Sequence, residues 1–205
     1  MTNTNILDDK HKHAPAVSGV SDLILRRWSP RAFSSKPVSA TDLHKLFEAA
    51  RWSASAYNEQ PWRFLVGHQG DATYQKILAA LVEFNQLWAG KAPVLILTLA
   101  SKNFDRNGHE NTHARYDAGA ATALLMLQAT YQGLHAHSMS GFDPAKAREA
   151  LHIPEEYDVI TVTAVGYLGD PNELPEAMQE MEKSPRGRKP VEELVFSEWG
   201  KPVAF

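Results

Sequence analysis

Arg27-Trp28-Ser29-Pro30-Arg31-Ala32-Phe33 is the stretch on which the reading of this chain turns. Arg27, Ser29 and Arg31 fall at alternate positions. Pro30 forbids continuation of a helix and pushes Ser29 toward an extended conformation. Alternate residues of an extended run point the same way. Two guanidinium groups and a hydroxyl can thus converge on one dianion, because guanidinium forks pair bidentately with phosphate oxygens. The plainer alternative makes Arg26 and Arg27 solvated cations at the end of a helix. A second stretch, Ser53-Ala54-Ser55-Ala56-Tyr57-Asn58-Glu59-Gln60-Pro61-Trp62, adds weight to the first reading. It sets hydroxyls and amides at the break between a helix and a strand. Their plain role is turn and cap chemistry; their functional role is to hydrogen-bond the edge of a flat heterocycle.

The rest of the chain bounds the possibilities. Its 205 residues suit one domain that needs no disulfide or metal staple. A hydrophobic content of 43% and a charged content of 22% are those of an ordinary soluble globular protein. The net charge of -3 gives no reason to expect nucleic acid or an acidic membrane as partner. Cysteine is absent, which excludes thiolate nucleophiles, iron–sulfur clusters and Cys-based zinc sites. The longest apolar run, Val94 to Ala100, is too short to span a bilayer, and residues 1–14 lack the apolar core of a signal peptide. A cytoplasmic protein is the resulting expectation.

Residues 1–18 read as a flexible polar arm, followed by one domain over 19–205. Ser21 opens a helix that stops at Pro30, and Ser39 caps a second with Leu43, Leu46, Phe47 and Ala50 on its apolar face. Trp62–Gly67 reads as a strand, and Asp71 to Leu87 as one amphipathic helix. Val94–Ala100 is expected to be a buried central strand, and residues 101–111 a loop. Thr112–Leu134 reads as a long helix apolar on most sides, ended by Gly133. A strand from His135 to Ser140 precedes a helix capped by Asp143, begun by Pro144 and running through Leu151. Asp158–Leu168 is a β-rich run dominated by Val, Thr and Ile. The tail after Pro185 carries apolar residues without a period and must dock on the body or on a second subunit.

Two further motifs need weighing. His109-Glu110-Asn111-Thr112-His113 matches H-E-x-x-H literally, a zinc hydrolase signature that works only on a helix. Gly108, Asn111 and Thr112 favour loops and caps instead. Gly166-Tyr167-Leu168-Gly169 follows a strand but lacks the remaining glycine of a dinucleotide fingerprint. A phosphate bound here must therefore be held by side chains. Arg186-Gly187-Arg188-Lys189-Pro190 repeats the alternation of the first stretch, although a charge run is commonly just a solvated surface.

Taken in order, these pieces resemble the FMN-dependent nitroreductase family. They are Arg-x-Ser-x-Arg-x-Phe, a helix ending Ser-x-Ser-x-x-Asn-x-Gln-Pro-Trp, a Val-rich strand, an Ala/Leu-rich helix, Gly-Phe-Asp, a Val/Gly-Tyr strand and a late Arg-x-Arg. The resemblance spans roughly Ser21 to Trp199. It implies an α+β fold, with a central mixed, mainly antiparallel sheet flanked by helices, in an intertwined homodimer whose C-terminal tail reaches the other subunit. By match of motif, Arg27, Ser29 and Arg31 hold the FMN phosphate and ribityl chain, with Trp28 in the same run. Arg188 and Arg186 correspond to the late basic pair at the phosphate. Ala54, Ser55, Ala56 and Asn58 approach the flavin from the partner subunit. Asn85, with Gln86 beside it, reads the pyrimidine edge of the ring, and Gly141, with Ser140, presents backbone N–H to flavin N5. No side chain is assigned as catalytic, and no metal is implied.

The implied activity is an FMN-dependent NAD(P)H oxidoreductase that reduces electron-poor acceptors (nitroaromatics, quinones, activated enones) by a ping-pong hydride mechanism. Tyr57 and Glu59 replace smaller or neutral residues common beside that Asn, which narrows or charges the substrate mouth. Two alternatives stand beside this reading. One is a flavin-binding protein that stores, senses or remodels FMN without NAD(P)H turnover; the other is the zinc hydrolase of His109, Glu110 and His113.

Overall fold

The computed structural model describes residues 9–17 and 19–205. Seven α-helices and six strands follow in chain order: α1 (Asp22–Arg26), α2 (Ala40–Arg51), β1 (Trp62–His68), α3 (Ala72–Ala80), α4 (Glu83–Ala89), β2 (Val94–Ser101), α5 (Ala114–Tyr131), β3 (His135–Met139), α6 (Pro144–Leu151), β4 (Tyr157–Gly166), α7 (Glu176–Lys183), β5 (Phe196–Glu198) and β6 (Lys201–Pro202).

The four long strands form one sheet in the order β1-β2-β4-β3. Among the described residues every pairing in it is antiparallel. β2 lies inside, paired on both edges, and only its last residue is not fully buried. That burial is why its sequence is continuously apolar rather than alternating. A bulge between Thr98 and Leu99 lets Val159 and Val162 of β4 face the same core.

Two cores flank the sheet. On one face Leu43, Leu46 and Ala50 of α2 and Ala118, Ala121 and Leu125 of α5 pack against Val94, Ile96 and Val165. On the other, Tyr74 and Ile77 of α3, Trp88 of α4 and Met178 of α7 cover Leu95, Leu97 and Val162. Sheet with helices on both faces is the α+β architecture expected.

Local chemistry places the helix ends. Ser39 accepts the Asp42 N–H at 3.0 Å, Asp71 that of Tyr74 at 2.6 Å, and Asp143 those of Ala145 and Lys146 at 2.9 and 3.0 Å. Gly133 sits at φ 73° just past α5, where only glycine turns without strain.

Three expectations need correction. The single helix over 71–87 is two, broken at Leu81 and Val82, which are extended. Leu81 bridges Phe142, and the Val82 N–H donates to Gly141 O at 3.0 Å, so a tertiary backbone pairing overrides helical periodicity. The N-terminal arm is docked rather than free from Asp9 on: Lys12 is only 4% exposed, and the Ala14 N–H donates to Leu25 O at 2.9 Å. Residues 1–8 and 18 of that arm lie outside the described residues. Finally, α5 is not covered on most sides. Tyr116, Gly119 and Ala123 are exposed, with Ala120, Leu124 and Leu127 half-buried beside them.

Candidate active site

The short helix α1 ends at Arg27, whose backbone turns extended (φ −59°, ψ 122°). The chain then runs beside β3. Trp28 packs edge-on against His135 at 5.9 Å, and His137 Nδ1–H donates to Pro30 O at 2.8 Å. Held in this way, Arg27, Ser29 and Arg31 line one recess of about 210 Å³, as alternation required. Arg186 and Arg188 line it too, although more than 150 residues separate them from Arg27 in sequence. Trp28 forms part of its wall.

The recess is strongly and unevenly charged. Five cationic side chains (Lys12 is the fifth) meet there with one carboxylate, Glu182. Glu182 Oε1 accepts the backbone N–H groups of Arg31 and Ala32 at 2.8 and 3.0 Å, so its hydrogen bonding is committed to the main chain. Among the described residues Arg31 Nε is buried with no hydrogen-bond partner, as is Arg186 Nε. Burial, followed by repulsion from Arg186 and Arg188, lowers the Arg27 pKa. Burial and Arg188 lower that of Arg186, which Asp9 partly opposes. Crowded, desolvated like charges with unmet donors are an arrangement that an anion would relieve. Arg186 also has a structural role, donating to the carbonyls of Leu25 and Arg27.

The second group of expected residues meets at the far end of β3. Asn85 Nδ2 donates to Gly141 O at 2.9 Å, the same carbonyl that takes the Val82 N–H. A Cβ at Gly141 would lie 2.7 Å from Asn85 Nδ2 and 3.0 Å from Val82 Cγ2, so a side chain there would displace the Asn85 amide. Gln86 instead turns its amide back to Leu81 O at 2.6 Å. Ser140 is exposed. Six residues of extended chain separate His135, at the recess, from Gly141, a span on the order of 20 Å.

Ala54, Ser55, Ala56 and Asn58 do not line the recess, and they sit at the β1 edge of the sheet, whereas Gly141 follows β3 at the opposite edge. They precede β1 at the end of the sheet where Trp62 pairs with Ala100, whereas the recess lies at the end where His135 pairs with Gly166. Their loop is tightly built. Buried Asp117 of α5 accepts the Ala56 N–H at 3.0 Å, and Ser55 Oγ accepts that of Gln60 at 3.0 Å. Tyr57, Asn58 and Gln60 all have positive φ (55°, 58° and 51°), a strained conformation that these anchors must hold. Arg106 lies over the Tyr57 ring at 3.9 Å, and Glu59 accepts the Asp105 N–H.

His109 and His113 both precede α5, which begins at Ala114. The H-E-x-x-H letters therefore do not form the one-turn pair that zinc chemistry needs, and Glu110 is drawn into a bridge with Asn103. The Gly166–Gly169 segment is structural: the Gly169 N–H donates to Ala32 O at 2.9 Å, and a Cβ there would lie 2.5 Å from the Phe33 backbone.

Sequence reasoning missed Lys12, Glu182 and His137. Lys12 sat in a polar arm with no period, and Glu182 occupied an ordinary position on amphipathic α7. His137 alternates inward on β3, which was the one available signal.

An antiparallel sheet thus lies between two helical layers, with a cationic recess at one end of an edge strand and a glycine–amide lock at the other. The sequence model of the nitroreductase family matches residues 24–86 and 68–167. A solved structure described as an oxidoreductase containing FMN is 33% identical, with a TM-score of 0.84 over 96% of this chain and 97% of that one. An uncharacterised 15.4 kDa protein of Mycolicibacterium smegmatis is 36% identical over 153 residues, covering 69% of this chain and 99% of its own. The major NAD(P)H-flavin oxidoreductase of Aliivibrio fischeri is 35% identical over 94 residues, 44% of this chain and 43% of its own. The chain belongs to the nitroreductase family.

Proposed function

We propose that this chain is an FMN-dependent NAD(P)H oxidoreductase that works as a homodimer. It reduces electron-poor acceptors (nitroaromatics, quinones or activated enones) in ping-pong order, the two substrates using one pocket in turn. The observation that carries the reading is the recess itself, with five cations, one preoccupied carboxylate and a buried Arg31 Nε without a partner. A dianionic phosphate is the ligand whose charge and acceptor number answer that arrangement.

In this assignment Arg27, Ser29, Arg31, Arg186 and Arg188 hold the phosphate end of FMN, with Trp28 walling the site. Gly141 and Ser140 lie at the ring end, where the Gly141 N–H takes no partner among the described residues and is free to donate to a ring nitrogen. Asn85 is positioned there by its bond to the Gly141 carbonyl. FMN supplies the hydride chemistry that no side chain of this protein can. The chain contributes position, exclusion of water and a positive field at the phosphate. No general acid is required of it, since solvent can deliver protons.

The dimer has its own support. Exposed Tyr116, Gly119 and Ala123, with half-buried Ala120, Leu124 and Leu127, form an apolar stripe along the outer side of α5. The tail folds on itself as the β5–β6 hairpin and leaves Trp199 95% and Phe205 91% exposed. A second copy on the α5 stripe gives the tail a surface to cover and brings a partner's Ala54–Asn58 loop toward the ring.

The test is the absorption spectrum of the purified protein, followed by NAD(P)H oxidation with and without a quinone. Flavin bands and quinone-dependent turnover are expected. Bound flavin without turnover would leave a flavin-storing or flavin-sensing protein, and a colourless protein that does not take up added FMN would overturn the reading.

A further inference from the structure

We propose that Lys12, carried by the N-terminal arm, is a further ligand of the phosphate in the recess, so that docking of the arm and binding of the phosphate strengthen each other. The inference rests on the FMN reading above and goes beyond the motifs that suggested it, since no part of the arm belongs to them.

The arm is built into place by pins outside the recess. Asp9 takes Trp28 Nε1–H at 2.7 Å and lies 3.2 Å from both His135 Nε2 and His13 Nε2. Its pKa is held well below the ordinary carboxylate value, chiefly by His135, as befits a carboxylate used as an anchor. The Ala14 N–H closes the arm onto α1 through Leu25 O. Between these pins a single 3-10 turn (Lys10–Lys12) drives the Lys12 side chain inward, where it is 4% exposed.

There the ammonium donates to Met181 O at 3.2 Å and to Ser184 O, and it lies 5.2 Å from the Trp28 ring centroid. An ammonium has three donors, so one remains for the recess it lines. Its charge is poorly compensated: burial lowers its pKa, Glu182 opposes this, and Arg31 and Arg186 add to it. A buried lysine facing two arginines is costly unless an anion joins them. Because the arm delivers the lysine, any free energy the phosphate gains from Lys12 also stabilises the docked arm.

The affinities of the flavin-free protein for FMN and for riboflavin, which differ by the phosphate, are the measurement. Lys12→Gln is expected to weaken FMN about tenfold and to leave riboflavin unchanged, while Lys12→Arg restores most of the loss. In the wild-type chain, tryptic cleavage after Lys12 should slow with FMN or inorganic phosphate and not with riboflavin. This second readout needs no variant to fold. Equal losses for both flavins, or protection by riboflavin as strong as by FMN, would reduce Lys12 to a structural counter-charge of Glu182. Arg27→Ala separates the two levels of the argument. If it weakens FMN while Lys12→Gln does not, the Lys12 assignment alone fails; if neither weakens FMN, the phosphate reading fails with it.

Discussion

Glu182 bonds the backbone of Arg31, not its guanidinium: Oε1 accepts the Arg31 N–H at 2.8 Å and the Ala32 N–H at 3.0 Å. One carboxylate thus fixes the path of the chain that carries Arg27 and Arg31, and its single charge faces five cations. Replacing Glu182 by Ala strands two buried N–H groups, each costing about 1–3 kcal/mol. Glu182→Gln keeps an acceptor and should cost less. Thermal unfolding of the flavin-free variants checks this: a Glu182→Ala midpoint equal to that of Glu182→Gln would show that the carbonyl-type acceptor is not what matters.

Arg27 and Arg31 test the ligand rather than the fold. Each Ala substitution removes a charge-assisted contact of about 1.5–3 kcal/mol, so FMN affinity should fall at least tenfold by titration of flavin fluorescence. The flavin-free Arg27→Ala protein should lose little stability, because it relieves the repulsion from Arg186 and Arg188 that Arg27 now carries. Unaltered affinity in both variants would place the phosphate elsewhere.

The alternation in Arg27-Trp28-Ser29-Pro30-Arg31 was legible because Pro30 settles the backbone locally, and side-chain direction in extended chain then follows from position. The caps at Ser39 and Asp143 were legible for the same reason, each depending on residues within one turn. The break at Leu81 and Val82 was not, since its cause is the pairing with Gly141 and Phe142, some sixty residues on. Lys12 and Glu182 were hidden likewise: each meets the recess only through contacts across most of the chain.

The lock between Asn85 and Gly141 makes a prediction about the ring end. Gly141→Ala places a methyl carbon 2.7 Å from Asn85 Nδ2 and so expels that amide. Affinity for FMN and for riboflavin should fall together, by several-fold, in contrast to the phosphate-selective losses at Arg27 and Lys12. A loss confined to FMN would sink the assignment of Gly141 to the ring.

His137 gives the stability curve its acid limb. Packed on Trp88 at 4.5 Å and donating through Nδ1 to Pro30 O, it is pushed down to about 4, chiefly by burial, with Arg31 and Arg27 adding to the shift. The unfolded chain binds this proton below the ordinary 6.5, and the folded chain does so only below about 4. The contribution is therefore complete above pH 6.5 and is lost as pH falls toward 4, amounting to at most about 3 kcal/mol. His137→Gln should flatten urea-unfolding stability across that window. A variant with the same acid slope as wild type would assign the slope to other groups.

The α5 stripe and the tail make separable claims on the dimer. Ala123 is exposed on α5 with nothing of its own chain over it, so Ala123→Glu costs the folded monomer little, while a second copy seated there must bury a charge. Sedimentation should show the variant as a monomer that binds FMN weakly, because the partner's Ser55 loop is then missing from the ring end. Truncation after Pro190 removes the hairpin carrying Trp199 and should weaken the dimer and flavin binding together without touching α5. A truncated protein that stays dimeric and yellow would show that the tail is no arm across the interface. A dimeric Ala123→Glu protein would move the two-fold contact off α5, and the loop before β1 would then need another route to the ring.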